Sequence, residues 1–124
     1  MPRAPRPDPR RVLGTSGEEA VARWYERAGY EVLDRNWRVR EGELDLVLRT
    51  DRTIVFCEVK TRRGVGFGLP AEAVTFAKQR RLRGLALRWL EARGTHAANL
   101  RFDVASVLVA GGAEPVIEVI EGTF

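Results

Sequence analysis

Apolar residues recur at helical spacing in the first quarter of the chain. Thr15 or Ser16 can cap a helix, because Glu18 and Glu19 each follow one of them by three residues. Gly29 then provides a stop signal. The pattern predicts a first helix that begins near Ser16, and its apolar stripe comprises Ala20, Val21, Trp24, Tyr25 and Ala28.

Alternating and β-branched segments follow this helix and predict three strands. Residues 30–33 and 36–39 indicate a short or broken first strand. Residues 43–48 alternate at first and then become apolar, and residues 53–60 are largely apolar and β-branched. The polar residues 50–52 between these two segments predict the turn of a hairpin.

A second helix and two more strands complete the pattern. Glycines and a proline after the hairpin predict a loop. The next helix is expected to begin at Ala71 or Thr75 and to end at Arg93, before strands over residues 100–109 and 116–120, the last of them at a sheet edge. The order α-β-β-β-α-β-β indicates an α/β fold with helices packed on a mixed sheet.

Composition restricts the class of protein. The 124 residues are 44% hydrophobic, which suits a single domain with its own core. Residues 1–13, rich in Pro and Arg, predict a flexible basic tail before a domain over 14–124. This N-terminus is unlike a secretory signal, and no apolar run approaches the ~18 residues of a membrane span. One cysteine excludes an internal disulfide, so we expect a cytoplasmic protein without a membrane partner.

The positive charge is concentrated in one segment. Residues 60–88 carry eight Lys or Arg residues and one Glu, while the chain as a whole has a net charge of +4. Such a segment indicates a polyanionic partner, although a solvated helix face remains an alternative. The candidate nucleic-acid contacts are Arg62, Arg63, Lys78, Gln79, Arg80, Arg81 and Arg83, of which Lys78 and Gln79 are expected to be exposed.

The predicted hairpin brings acidic residues and a lysine together. If the turn is centred on residues 51–52, Asp45 lies opposite Glu58 and Glu43 lies opposite Lys60. Directly opposed residues share one face of a sheet, with Cβ atoms ~5 Å apart. A turn with an odd number of residues would break this pairing, so the register is a hypothesis.

Two carboxylates that face each other across a sheet repel, and a divalent cation between them removes the repulsion. Carboxylate oxygens suit Mg²⁺ or Mn²⁺, with the Val59 carbonyl as an additional ligand. Lys60 can neutralise a phosphate or position a water. Glu43 could be a further ligand, but it is expected to pair with Lys60, which it faces. These are the parts needed to hydrolyse a phosphodiester. A salt-bridged structural cluster remains the alternative.

Five segments carry a family resemblance. They read GTSGEEAVARWYERAGYEVLDRNWR, EGELDLVLR, IVFCEVKTRR, KQRRLRGLALRWL and RFDVASV. In this order and spacing the chain resembles the YraN-like uncharacterised family of bacterial proteins, which is similar to Holliday-junction resolvases and restriction endonucleases of the PD-(D/E)xK fold. The resemblance implies that Asp45 is the acidic residue of the first half-motif, that Glu58 and Lys60 form the ExK half, and that Glu18 is a helical glutamate supporting the metal.

The resemblance also leaves some roles open. Leu44 stands where the motif has proline, and Asn36 and Arg38 could contact a phosphate or complete a strand edge. Asp103 is expected to form a structural ion pair.

We therefore expect a restriction-endonuclease-like α/β fold and a Mg²⁺- or Mn²⁺-dependent DNA endonuclease; branched DNA as substrate is implied by the resemblance alone. A nucleic-acid-binding module without catalysis, or an interaction protein, are the alternatives. A homodimer involving Trp37, Val116 or Phe124 is also left open.

Overall fold

A computed structural model describes residues 9–63, 75–109 and 114–123, with side chains from residue 17 to 62 and in the two later ranges. The order of helices and strands confirms the predicted α-β-β-β-α-β-β arrangement. The elements are α1 (Pro9–Arg27), β1 (Glu31–Val39), β2 (Gly42–Thr50), β3 (Thr53–Arg63), α2 (Phe76–Arg93), β4 (Asn99–Val109) and β5 (Val116–Ile120).

The five strands form one mixed sheet in the order β1-β2-β3-β4-β5. The pair β3–β4 is parallel, and the other neighbouring pairs are antiparallel. The connection from β3 to β4 contains α2, because parallel neighbours need a long crossover. As predicted, β5 lies at an edge. Within the described residues, neither helix is long and apolar enough to cross a membrane.

The two helices cover opposite faces of the sheet, so there are two apolar clusters. The cluster under α1 contains Val21, Ala22, Tyr25, Leu46, Leu48, Val55, Cys57, Ala105 and Val107. The cluster under α2 contains Leu44, Val47, Ile54, Phe56, Leu85, Ala86, Trp89 and Phe102. Residues 54–57 of β3 alternate between the two clusters, which is why this strand reads as continuously apolar.

The first helix begins earlier than predicted. It starts at Pro9, so the predicted cap at Thr15 or Ser16 was wrong, and residues 9–13, assigned to the tail, are helical. Proline is favoured in the first turn of a helix, where its missing N–H costs no hydrogen bond. Residues 1–8 of the predicted tail lie outside the described residues.

The approach of α1 to the sheet depends on a glycine. A Cβ atom at Gly17 would collide with the Thr61 hydroxyl on β3, so only glycine allows this contact without rearrangement. The contact brings the next residue, Glu18, to the same end of β3 that carries Glu58 and Lys60.

The second helix is fixed at both ends. The Thr75 hydroxyl caps it by accepting from the Lys78 N–H at 3.2 Å, and Gly94 ends it with a left-handed backbone. Trp89 Nε1 donates to Asp34 Oδ2 at 2.9 Å, and an Arg93 N–H donates to the Leu33 carbonyl. These contacts set the rotation of α2 about its axis and thus the direction of its side chains.

Asp103 forms the expected structural ion pair. Its buried carboxylate accepts two hydrogen bonds from Arg101, both at 2.9 Å, and one from the Tyr25 hydroxyl at 2.7 Å. The Gly122 N–H also donates to it, at 3.0 Å. This network ties α1, β4 and the C-terminal segment together beneath the sheet.

Candidate functional site

The candidate site begins where β2 and β3 separate. The ladder confirms the predicted register from Thr50↔Thr53 to Leu46↔Cys57 and ends there. Asp45 lies just beyond the last pair, and its Oδ2 accepts a hydrogen bond from the Val59 N–H at 2.9 Å. The Asp45 carboxylate thus takes the place of a backbone carbonyl as the acceptor for the Val59 N–H.

The backbone of Val59 is oriented toward Asp45 on β2. On an extended strand the N–H and C=O of one residue point to the same side. Because the Val59 N–H points to Asp45 on β2, its carbonyl is directed to that side as well. This direction suits the additional-ligand role predicted for the Val59 carbonyl.

Glu58 has one paired and one unpaired oxygen. Its Oε1 lies 3.4 Å from Lys60 Nζ and 2.5 Å from Lys78 Nζ. Its Oε2 is buried and has no hydrogen-bond partner among the described residues. Leaving a buried carboxylate oxygen without a donor is energetically unfavourable.

A small cavity connects the two acidic residues. It has a volume of about 20 Å³, enough for one water molecule or ion. Asp45 and Glu58 both line it, together with Glu43, Leu44, Phe56, Cys57, Leu82 and Phe102.

A second group of carboxylates lies around Asp45. One oxygen each of Glu18, Glu43 and Asp45 all lie within 4.8 Å of one another, and Glu58 is not part of this group. Glu18 comes from α1 and the other two from β2. The position of Glu18 suits the supporting role that the family resemblance implies.

The prediction that Glu43 pairs with Lys60 was wrong. Glu43 Oε2 lies 3.0 Å from Arg38 Nε, whereas Lys60 pairs with Glu58. The β2–β3 ladder ends at Leu46, so Glu43 is no longer held opposite Lys60. In the β1–β2 ladder, Glu43 is paired with Arg38.

The acidic residues carry raised pKa values. Burial raises the pKa of Asp45 to about 6; the Val59 hydrogen bond opposes this shift, and the neighbouring Glu58 adds to it. Burial, with the charge of Asp45, raises the pKa of Glu18 to about 7. Both carboxylates thus lose protons less readily than usual, as expected for buried carboxylates beside other anions.

Lys60 and Lys78 shift each other's pKa values. The adjacent Lys78 ammonium and burial lower the pKa of Lys60, while Glu58 opposes the shift. A lysine with a lowered pKa releases a proton more easily, which is useful beside a water nucleophile.

Lys78 and Gln79 were predicted to be exposed, and this was wrong, because both are half-buried. Lys78 lies seven residues before Leu85, and Leu85 lies four residues before Trp89. The three residues therefore share one stripe of α2, and Lys78 faces the sheet. That spacing was visible in the sequence and could have identified Lys78 as a residue of the site.

The other basic candidates surround the site unevenly. Arg80, Arg81 and Arg83 are exposed on α2, and Arg62 is half-buried near the end of β3. The side chain of Arg63 lies outside the described residues. Of the residues suggested for a dimer interface, Trp37 is half-buried, Val116 is exposed and Phe124 lies outside the described residues.

The element order, the mixed sheet and a helix on each face place this protein in the class of restriction-endonuclease-like α/β folds. The profile of the Uncharacterised protein family UPF0102 matches residues 17–107, and the chain belongs to that family. This assignment confirms the resemblance found in the motifs. The matched range contains Glu18, Asp45, Glu58 and Lys60.

Relatives in the family align over most of the chain. A UPF0102 protein of Rhodococcus jostii is 51% identical over 91% of this chain and 96% of its own length. A UPF0102 protein of Nocardia farcinica is 52% identical, with coverages of 93% and 91%. One from Geobacter sulfurreducens is 45% identical, with coverages of 92% and 89%. The chain is therefore similar to these proteins over nearly their full length.

Proposed function

We propose that this protein is a cytoplasmic, metal-dependent endonuclease that hydrolyses phosphodiester bonds of DNA. One observation carries the proposal. Glu58, whose Oε2 is buried without a partner among the described residues, lines the same small cavity as Asp45. A cation bound there would give the unpaired Glu58 oxygen a partner and would offset the crowding of Asp45 with other carboxylates.

The donor atoms suit Mg²⁺ or Mn²⁺. Asp45 and Glu58 offer carboxylate oxygens and Val59 offers a carbonyl, all of them hard ligands. Glu18 would support the ion through the acidic group that it forms with Asp45 and Glu43. When bound, the ion polarises the phosphate and lowers the pKa of a water molecule.

The remaining chemistry belongs to the lysine. Lys60 lies 3.4 Å from Glu58 Oε1, and 36% of its side chain is exposed, so its ammonium can reach a phosphate that enters from solvent. There it neutralises negative charge and orients the attacking water. The exposed arginines of α2 contribute sequence-independent contacts to the phosphate backbone.

The test is an incubation of purified protein with linear, flapped and four-way DNA, with Mn²⁺ or with EDTA. We expect Mn²⁺-dependent cleavage of at least one substrate, and at least a hundredfold loss of rate in Asp45→Asn and Lys60→Ala. Asp51→Asn, which changes an exposed carboxylate in the hairpin turn, is the matched control and should cut like the wild type. Cleavage that persists in Asp45→Asn would show that the activity has another source.

A second candidate function is nucleic-acid binding without catalysis. It is favoured by the pairing of Glu58 with both Lys60 and Lys78, which neutralises this carboxylate without an ion. This candidate replaces the first if the wild type binds the DNA panel in a salt-dependent manner but cuts none of it with Mn²⁺.

A further inference from the structure

The strand β1 brings two polar residues to the acidic group. Its ladder with β2 contains the pairs Arg35↔Leu46, Trp37↔Leu44 and Arg38↔Glu43. Asn36 lies between the first two pairs and is therefore opposite Asp45. In a regular strand, Asn36 and Arg38 would share one face of β1, because alternate residues do.

The backbone at Asn36 is unusual. Its φ is 48°, in the left-handed region that non-glycine residues adopt rarely, although asparagine tolerates it better than most. The register between β1 and β2 also shifts nearby, between Val32 and Asp34. Irregularities of this kind redirect a side chain from its regular position on the strand.

The Asn36 side chain lies near a residue of the candidate site. Its amide opposes the rise in the pKa of the Glu18 carboxylate on α1, and Glu18 lies near Asp45 and Glu43. Asn36 is itself exposed, so the contact contributes little to the core. An exposed residue that keeps a strained backbone beside an acidic side chain is more easily explained by the site than by folding.

We infer that Asn36 is a positioning residue that orients the Glu18 carboxylate toward a divalent cation shared with Asp45. The inference rests on the proposed function, since it assumes that the acidic residues bind an ion. It adds a role on β1 to a site otherwise formed by α1, β2, β3 and α2. Residues that hold metal ligands in place are often worth 10–100-fold in metal affinity.

Glycine substitution separates the side chain from the backbone. Asn36→Gly removes the amide, while glycine adopts a positive φ without strain, so the variant should fold as stably as the wild type. Asp51→Gly is a matched control. Asp51 also has a positive φ, 49°, but lies in the exposed turn at the other end of the hairpin.

The measurement is calorimetric titration of the full chain with Mn²⁺ in the absence of DNA. We expect about tenfold weaker binding in Asn36→Gly and unchanged binding in Asp51→Gly. Equal affinity in Asn36→Gly and the wild type, with both folded, would overturn the inference and leave the proposed function intact. A wild type that binds no Mn²⁺ would overturn both.

A double-mutant cycle tests whether Asn36 acts through Glu18. If it does, Asn36→Gly should weaken Mn²⁺ binding much less in a Glu18→Gln background than in the wild type. A full tenfold loss in both backgrounds would contradict the positioning role, because the two residues would then act independently.

Discussion

Asp45 combines burial, a backbone hydrogen bond and acidic neighbours in one side chain. Its pKa of about 6 and the pKa of about 7 at Glu18 both lie above the ordinary values of 3.8 and 4.5. Because the folded state holds these protons more tightly than the unfolded state, the stabilising contribution of the two groups is complete below about pH 4. It is lost as the pH rises through 6 and 7.

We therefore expect the metal-free protein to lose stability between pH 4 and pH 8, and Asp45→Asn to reduce this loss. The variant should be more stable than the wild type at pH 8 by about 1 kcal/mol, allowing for solvent screening. Urea unfolding at both pH values measures the effect, with Asp51→Asn as the control for an exposed carboxylate. An identical pH dependence in Asp45→Asn and the wild type would contradict it.

At the level of helices and strands, the site depends on how closely α1 approaches β3. Gly17 is the point of contact, since a Cβ there would collide with Thr61. Gly84 on α2 is a helical glycine with nothing within 4 Å of the corresponding Cβ position. Both glycines lie in helices, but Gly17 has no room for a Cβ atom and Gly84 has room for one.

We expect Gly17→Ala to destabilise the protein by about 1–3 kcal/mol, because a tight contact must open. Gly84→Ala should instead stabilise it by up to about 1 kcal/mol, since alanine is the better helix former and has room. Thermal or urea unfolding of both variants gives the comparison. A stabilised Gly17→Ala would mean that α1 does not approach β3 this closely.

The exposed arginines of α2 provide a second test at this level. Replacing Arg80, Arg81 and Arg83 by Gln should reduce the slope of log DNA affinity against log salt concentration by about 2–3. Each phosphate contact that is lost leaves about one counterion on the DNA. A triple variant of the exposed Arg27, Arg35 and Arg52 removes the same charge elsewhere and should change the slope less. Equal slopes in the two triple variants would remove α2 from the DNA-binding surface.

Across the whole molecule, the sequence predicted the element order and the hairpin register because both follow from local alternation. The pairs Leu46↔Cys57 and Thr50↔Thr53 lie where the pattern placed them. The start of α1 was missed because caps at Thr15 and Ser16 look the same whether the helix begins or continues there. The contact of Glu43 was missed because it depends on where β2 leaves β3, whereas the helical spacing that places Lys78 at the site was visible in the sequence.

The binding of a divalent ion by the assembled site is the central claim, and titration with Mn²⁺ tests it most directly. The wild type should bind Mn²⁺ saturably, Asp45→Asn should lose most of that affinity, and Lys60→Ala should keep it because Lys60 donates no ligand. Equal Mn²⁺ affinity in the wild type and Asp45→Asn, with both proteins folded, would contradict the account.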